Sequence, residues 1–128
     1  MEKLISVQKR EKLNDVYAVD EKGNGGANHR YIICKKDELL WTNGNNSIGV
    51  LEDISFQNGP RKEKDSINGI LDVDLLEIVK HRLECFQEGE FSSQYNERAL
   101  HHITEALIWL NKRVEDRIKR NVLGTYNK

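Results

Sequence analysis

Three arginines, Arg113, Arg117 and Arg120, sit in the stretch "WLNKRVEDRIKRNVLGTYNK". At about 100° per residue of helix they point to roughly 0°, 40° and −20°, so they share one face. Lys112 and Lys119 point elsewhere. A guanidinium is planar, always charged, and presents paired donors to phosphate or carboxylate oxygens; it also stacks on a base. Back along the same face lie Trp109, Ala106 and His102. An aromatic ring, a small residue and several guanidiniums make a contact surface for a phosphate-bearing ligand or for the acidic face of another chain. The plain alternative is a solvated helix end. Cations near a helix C-terminus gain about 0.3–1 kcal/mol each from the macrodipole, and Asp116 is spaced to pair with either Arg113 or Arg120. Against it, Arg113 and Arg117 are four residues apart, and like charges at that spacing repel.

Other constellations are weaker. "HRLEC" puts His81 and Cys85 four apart, and "HHITE" does the same for His101 and Glu105. A closed zinc site needs four ligands in register, and this spacing does not enforce one. Glu84, Glu88, Glu97 and Glu105 suggest a carboxylate cage for a nucleotide hydrolase, but such cages need paired, inward-facing acids, and Glu84 and Glu97 read as surface residues. No G-x-S-x-G is present. "GNGGAN" lacks phosphate-loop spacing and reads as a turn. No metal or cofactor is expected.

The elements that must position these residues follow from the remaining pattern. The chain has 128 residues, with 20 Lys and Arg against 21 Asp and Glu, for a net charge of −1. That length suggests one domain, 1–128, and the balance argues against DNA binding through bulk positive charge. A charged fraction of 32% beside 38% hydrophobic residues fits a small protein that completes its core by oligomerising. Cys34 and Cys85 have no motif spacing, so free thiols in a reducing cytoplasm are expected. No apolar run approaches a membrane span, and "MEKLISVQKREK" lacks a signal-peptide core.

Before residue 70 the chain holds seven glycines, the only proline (Pro60), and the β-type runs "DVYAV", "RYIIC", "ELLWT" and "SIGVLEDISF". "NGGAN" and "TNGNNS" separate runs and read as turns. These imply an antiparallel sheet of three or four strands over 1–70, and "FQNGPRKEKDSING" reads as an exposed connection. Over 71–128 the period becomes helical. Asp72 is the expected N-cap, followed by Leu76, Val79, Leu83 and Phe86; Gly89 is the expected stop. Leu100, Ile103, Leu107, Leu110 and Val114 form a second seam suited to packing on the first, ended by Gly124. The class is α+β: a small N-terminal antiparallel sheet, then an antiparallel two-helix hairpin.

The helical half, "LLEIVKHRLECFQEGEFSSQYNERALHHITEALIWLNKRVEDRIKRNVLGTYN", resembles the hairpin domain shared by the Thoeris anti-defence and anti-CBASS cyclic-nucleotide sponges of phages. The likeness is carried by Phe86-Gln87, Gly89, Phe91, Asn96, Ala99-Leu100, Glu105-Ala106-Leu107, Trp109-Leu110, Arg113, Asp116-Arg117, Arg120 and Gly124-Thr125. "GGANHRY" and "SFQNGP" look like the Thoeris type. Glu90 departs from the pattern, as does the ending "GTYNK". The resemblance implies a non-enzymatic protein in the cytoplasm of the infected bacterial host. It would bind, without cleaving, a glycocyclic ADP-ribose messenger and so block the Thoeris effector. It implies a homo-oligomer, dimer or hexamer, with sites shared between subunits, and cyclic oligonucleotides as a second class of ligand. Carried over, Phe86 stacks on adenine, Asn96 bonds polar ligand edges, and Arg113 and Arg117 grip the pyrophosphate; Arg120, Arg30 and Asn28 are further candidates. The competing readings are an anti-CBASS sponge, a helical nucleotide hydrolase and a plain protein-binding module.

Overall fold

The computed structural model describes residues 1–42 and 47–128. The chain forms two compact units, Met1–Gly59 with Asp65–Ile70, and Pro60–Lys64 with Leu71–Lys128. The first carries a four-stranded antiparallel meander and the second two helices, so the α+β class expected from the sequence is the one found.

In the first unit the strands are β1 (Glu2–Lys3), β2 (Asn14–Ala18), β3 (Arg30–Lys35) and β4 (Val50–Ser55), in the order β1-β2-β3-β4. Three of the four anticipated β-type runs supply β2, β3 and β4. The fourth, "ELLWT", makes only the bridge between Leu40 and Ile48, and the remaining strand is the N-terminal Glu2–Lys3, paired with Tyr17 and Ala18. Most of the "TNGNNS" turn falls on 43–46, outside the described residues. Alternation along β2 and β3 puts Ala18, Ile32 and Cys34 into the core. Asp15 is buried beside them, its carboxylate 3.6 Å from the Lys3 ammonium.

The β2–β3 connection is closed by Asp20. Its carboxylate accepts from the backbone N–H of His29 (3.0 Å) and of Arg30 (3.2 Å). Burial would raise the Asp20 pKa, but these N–H donors and Asn28 outweigh it and hold it below the usual carboxylate value. Gly25 and Gly26 take φ of 72° and 78° in the expected "NGGAN" turn, a region glycine enters without Cβ strain.

The segment 56–69, anticipated as an exposed connection, is exposed at Arg61, Lys62, Lys64, Asp65, Ile67 and Asn68 and is tied by ladder bonds near its ends. Phe56 bridges Ile70 and Asn58 bridges Ile67. The Gln57 side chain accepts from Gly69 N–H (3.2 Å) and donates to the Gly59 carbonyl (3.0 Å).

In the second unit α1 spans Asp72–Glu88 and α2 spans Gln94–Lys119. The N-cap of α1 is Leu71, one residue before the expected Asp72. Asp74 supplies the capping bond, accepting from Leu71 N–H at 2.8 Å. The half-buried seam of α1 runs through Val73, Leu76, Lys80, Leu83 and Gln87. Val79 and Phe86, placed on that seam by spacing alone, remain 42% and 41% exposed. The α2 seam of Leu100, Ile103, Leu107, Leu110 and Val114 is half-buried throughout.

Helix α2 stops at Lys119, earlier than the expected Gly124. Asn121 takes φ 57°, its N–H bonds the Ile118 carbonyl, and Val122 N–H bonds the Arg117 carbonyl. That is a Schellman stop with asparagine in the left-handed position. No helix among the described residues is long and apolar enough to cross a membrane.

Candidate functional site

The hairpin bend is built by side-chain to backbone bonds. Gly89 follows α1 and its N–H bonds the Phe86 carbonyl at 3.2 Å. The Gln87 amide donates to the Ser93 carbonyl (3.1 Å) and accepts from Ser93 N–H (3.0 Å). Ser93 caps α2, its hydroxyl accepting from Asn96 N–H at 3.1 Å. The Asn96 side chain in turn donates to the Phe91 carbonyl at 3.4 Å. Gln87 and Ser93 had no role in the expected site. The N-cap was readable, since serine before a helical run is a standard cap; the Gln87 bridge has no sequence signature.

Phe86, near the end of α1, and Asn96, near the start of α2, therefore flank this bend. The Phe86 ring is partly open, with the Arg82 guanidinium 5.5 Å from its centroid, a cation–π distance. An adenine that stacks on Phe86 would share that ring with Arg82.

The three arginines at the far end of α2 differ in what they touch. Among the described residues nothing engages Arg113, which is exposed. Arg120 donates from Nε to Asp116 at 3.0 Å, which settles the Asp116 pairing, and from Nη1 to the Lys128 carbonyl. Arg117 directs Nη2 at three carbonyl oxygens, of Val122 (3.0 Å), Thr125 (3.2 Å) and Asn127 (2.8 Å). Trp109, on the same face, is exposed, with the Lys112 ammonium 4.4 Å from its ring.

Asn28 and Arg30 lie in the other unit. Asn28 donates to the Asp20 carbonyl at 2.6 Å. Arg30 grips Asp53 in two parallel bonds (3.1 and 2.7 Å) and lies 5.1 Å from the Trp41 ring centroid. The Arg30 hydrogen bond holds the Asp53 carboxyl below its ordinary pKa. Both candidates thus have structural partners within the sheet unit.

His81 Nε2 lies 3.8 Å from Cys85 Sγ, and His101 lies 4.0 Å from Glu105. Among the described residues no three His, Cys, Asp or Glu side chains converge as a metal-binding group would.

Neither helix buries a side chain completely. A groove of about 570 Å³ runs between them, lined by Val73, Lys80, Leu107 and Leu110 among others. Ile78, Ile108 and Ile118 are each at least half exposed.

Residues 49–115 match the protein family described as "Acb2/Tad1, hairpin domain". Phe86, Asn96 and Arg113 lie inside the matched stretch. The chain is also 42% identical over 80 residues to "Thoeris anti-defense 1" of Bacillus phage SBSphiJ7. That similarity covers 62% of this chain and 56% of the relative, so the match spans little more than half of the phage protein. With β4, α1, the bend and α2 as far as Glu115 inside the matched stretch, which covers more than half of the chain, the chain belongs to the Acb2/Tad1 hairpin-domain family.

Proposed function

We propose that this protein is a phage counter-defence sponge. It binds a cyclic ADP-ribose-type signalling nucleotide and holds it intact, which keeps the messenger from a Thoeris effector. The observation that carries the reading is the family match over 49–115, which contains Phe86, Asn96 and Arg113. Similarity to a Thoeris anti-defence protein favours glycocyclic ADP-ribose over cyclic oligonucleotides. In the site, Phe86 stacks on adenine, Asn96 bonds the polar edges, and Arg113 and Arg117 face the pyrophosphate. Arg120, Arg30 and Asn28 are the further candidates for the site, each with a partner inside the chain.

The site is completed by a second copy. Asn96 and Arg113 both lie on α2, and the 17 residues from one to the other span about 25 Å at roughly 1.5 Å per residue. A ligand pocket of about 300–1,000 Å³ is on the order of 10 Å across. One hairpin therefore cannot close both ends on one nucleotide. A two-fold pair of antiparallel hairpins brings the bend of one chain to the arginines of its partner and makes two equal sites. The absence of any fully buried side chain in either helix supports such an assembly.

The test is recovery. Glycocyclic ADP-ribose is incubated with the protein, unbound nucleotide is removed, and the protein is heated. Intact messenger released by heat is the expected result. A converted nucleotide would identify a hydrolase, and no retention would favour a protein-binding module. Better retention of a cyclic oligonucleotide would move the assignment to the anti-CBASS type.

A further inference from the structure

We propose that residues 121–127 form a strap clasped by Arg117, and that this clasp sets the orientation in which Arg117 meets the pyrophosphate; the second half rests on the sponge reading. Nη2 of Arg117 has two protons, and three carbonyl oxygens converge on it within 3.2 Å. The strap already satisfies this nitrogen, which both two-donor edges of a guanidinium share, so Nε–H and Nη1–H remain as two separate, divergent donors for a ligand.

The strap is held from both sides, so it can fix the guanidinium. Its start is the Schellman stop, where Val122 N–H bonds the Arg117 carbonyl at 3.0 Å. Inside it, the Thr125 hydroxyl bonds the Val122 carbonyl at 2.6 Å. Its far side is tied to the segment Pro60–Lys64. Lys62 N–H bonds the Gly124 carbonyl at 3.0 Å, and Glu63 accepts from Tyr126 N–H at 3.3 Å. Gly124 has φ 78°, and a Cβ there would come within 2.8 Å of the Lys62 side chain. Glycine is needed here for both its backbone and its lack of a side chain. Arg117 thus differs from Arg113, which nothing engages among the described residues. Arg117 is a positioning residue for the strap, and the strap is a positioning element for Arg117.

Two measurements test this on the full chain. The first needs no ligand. Hydrogen exchange at the Val122, Thr125 and Tyr126 amides should speed up at least tenfold in Arg117→Ala and stay unchanged in Arg113→Ala. Unchanged exchange in Arg117→Ala overturns the clasp. If Arg117→Ala fails to fold, Arg117→Met, which keeps the apolar stem and loses every donor, answers the same question. The second is a double-mutant cycle for glycocyclic ADP-ribose, pairing Gly124→Val, which strains the strap and leaves Arg117 in place, with Arg117→Ala. Gly124→Val should weaken binding at least tenfold, and Arg117→Ala should cost less in that background than in the wild type. Wild-type affinity for Gly124→Val, or fully additive costs, overturns the positioning role. If the wild-type chain retains no nucleotide, the sponge reading and the pyrophosphate half fail together. The exchange measurement still decides the clasp by itself.

Discussion

The side-chain amide of Gln87 and the backbone of Ser93 are joined by two hydrogen bonds, 3.1 and 3.0 Å, that run in opposite directions. The pair works like one rung of an antiparallel ladder, with a side chain in place of one strand. It sets where α2 begins, and through the Ser93 cap it sets Asn96. Each neutral hydrogen bond contributes about 0.5–1.5 kcal/mol net. Gln87→Ala is therefore expected to lower stability by about 1–3 kcal/mol. Gln87→Glu keeps only the acceptor and should fall between. Urea denaturation followed by far-UV circular dichroism checks this; equal stability of all three chains would mean that the bend is held by something else.

Arg113→Ala is expected to reduce affinity for the messenger by about one to two decades, since a hydrogen bond to a charged group is worth roughly 1.5–3 kcal/mol. Stability should barely change, because no described residue engages Arg113. Arg113→Lys should recover only part of the affinity, having lost the planar fork. Arg120→Ala should matter less, as that side chain is committed to Asp116 and the Lys128 carbonyl. Titration calorimetry with the three variants decides the order, and wild-type affinity for Arg113→Ala would remove it from the site.

The shared site has its own signature. Phe86→Ala and Arg113→Ala chains should each bind poorly alone. Co-refolded, a mixed dimer should regain one intact site while its other site carries both lesions. Half of the mixed dimers' sites then titrate with wild-type affinity. Were each site confined to a single chain, every site in the mixture would keep one lesion and no tight binding would return.

Much of this architecture is legible in the residue order, and the parts that are not have physical reasons. Helical spacing marks α2 because five apolar residues repeat on one side of a long element. The same rule misplaces the α1 seam. Lys80 and Gln87 lie on it by burying their apolar stems or bonding the bend, while Val79 and Phe86 sit at its flank. A two-residue strand such as Glu2–Lys3 is too short to show alternation. The common direction of the three arginines is readable. Their different employment is not, because the acceptors of Arg117 are backbone carbonyls, which every residue has.

Acid should weaken the sheet unit in a defined window. Asp20 and Asp53 both titrate below their ordinary value in the folded chain. An unfolded aspartate, near pKa about 3.9, then binds protons more readily than the folded one, so stability rises with pH across this range. The contribution is complete above the unfolded value. It is lost as the pH falls through the depressed folded values. Asp53→Asn should shrink the drop in urea midpoint between neutral pH and the acid range. An identical drop in wild type and variant would show that the Arg30–Asp53 pair does not contribute to it.

The two cysteines occupy opposite extremes of accessibility, and this gives the chain a chemical clock. Cys34 is 1% exposed within the sheet, and burial pushes its thiol pKa up. Cys85 is exposed on α1. Since the thiolate is the reactive form, an alkylating reagent should tag Cys85 in the native protein and reach Cys34 only when the sheet opens. The rate at which singly tagged chains become doubly tagged, read by mass, then times the opening of the sheet separately from any event in the helices.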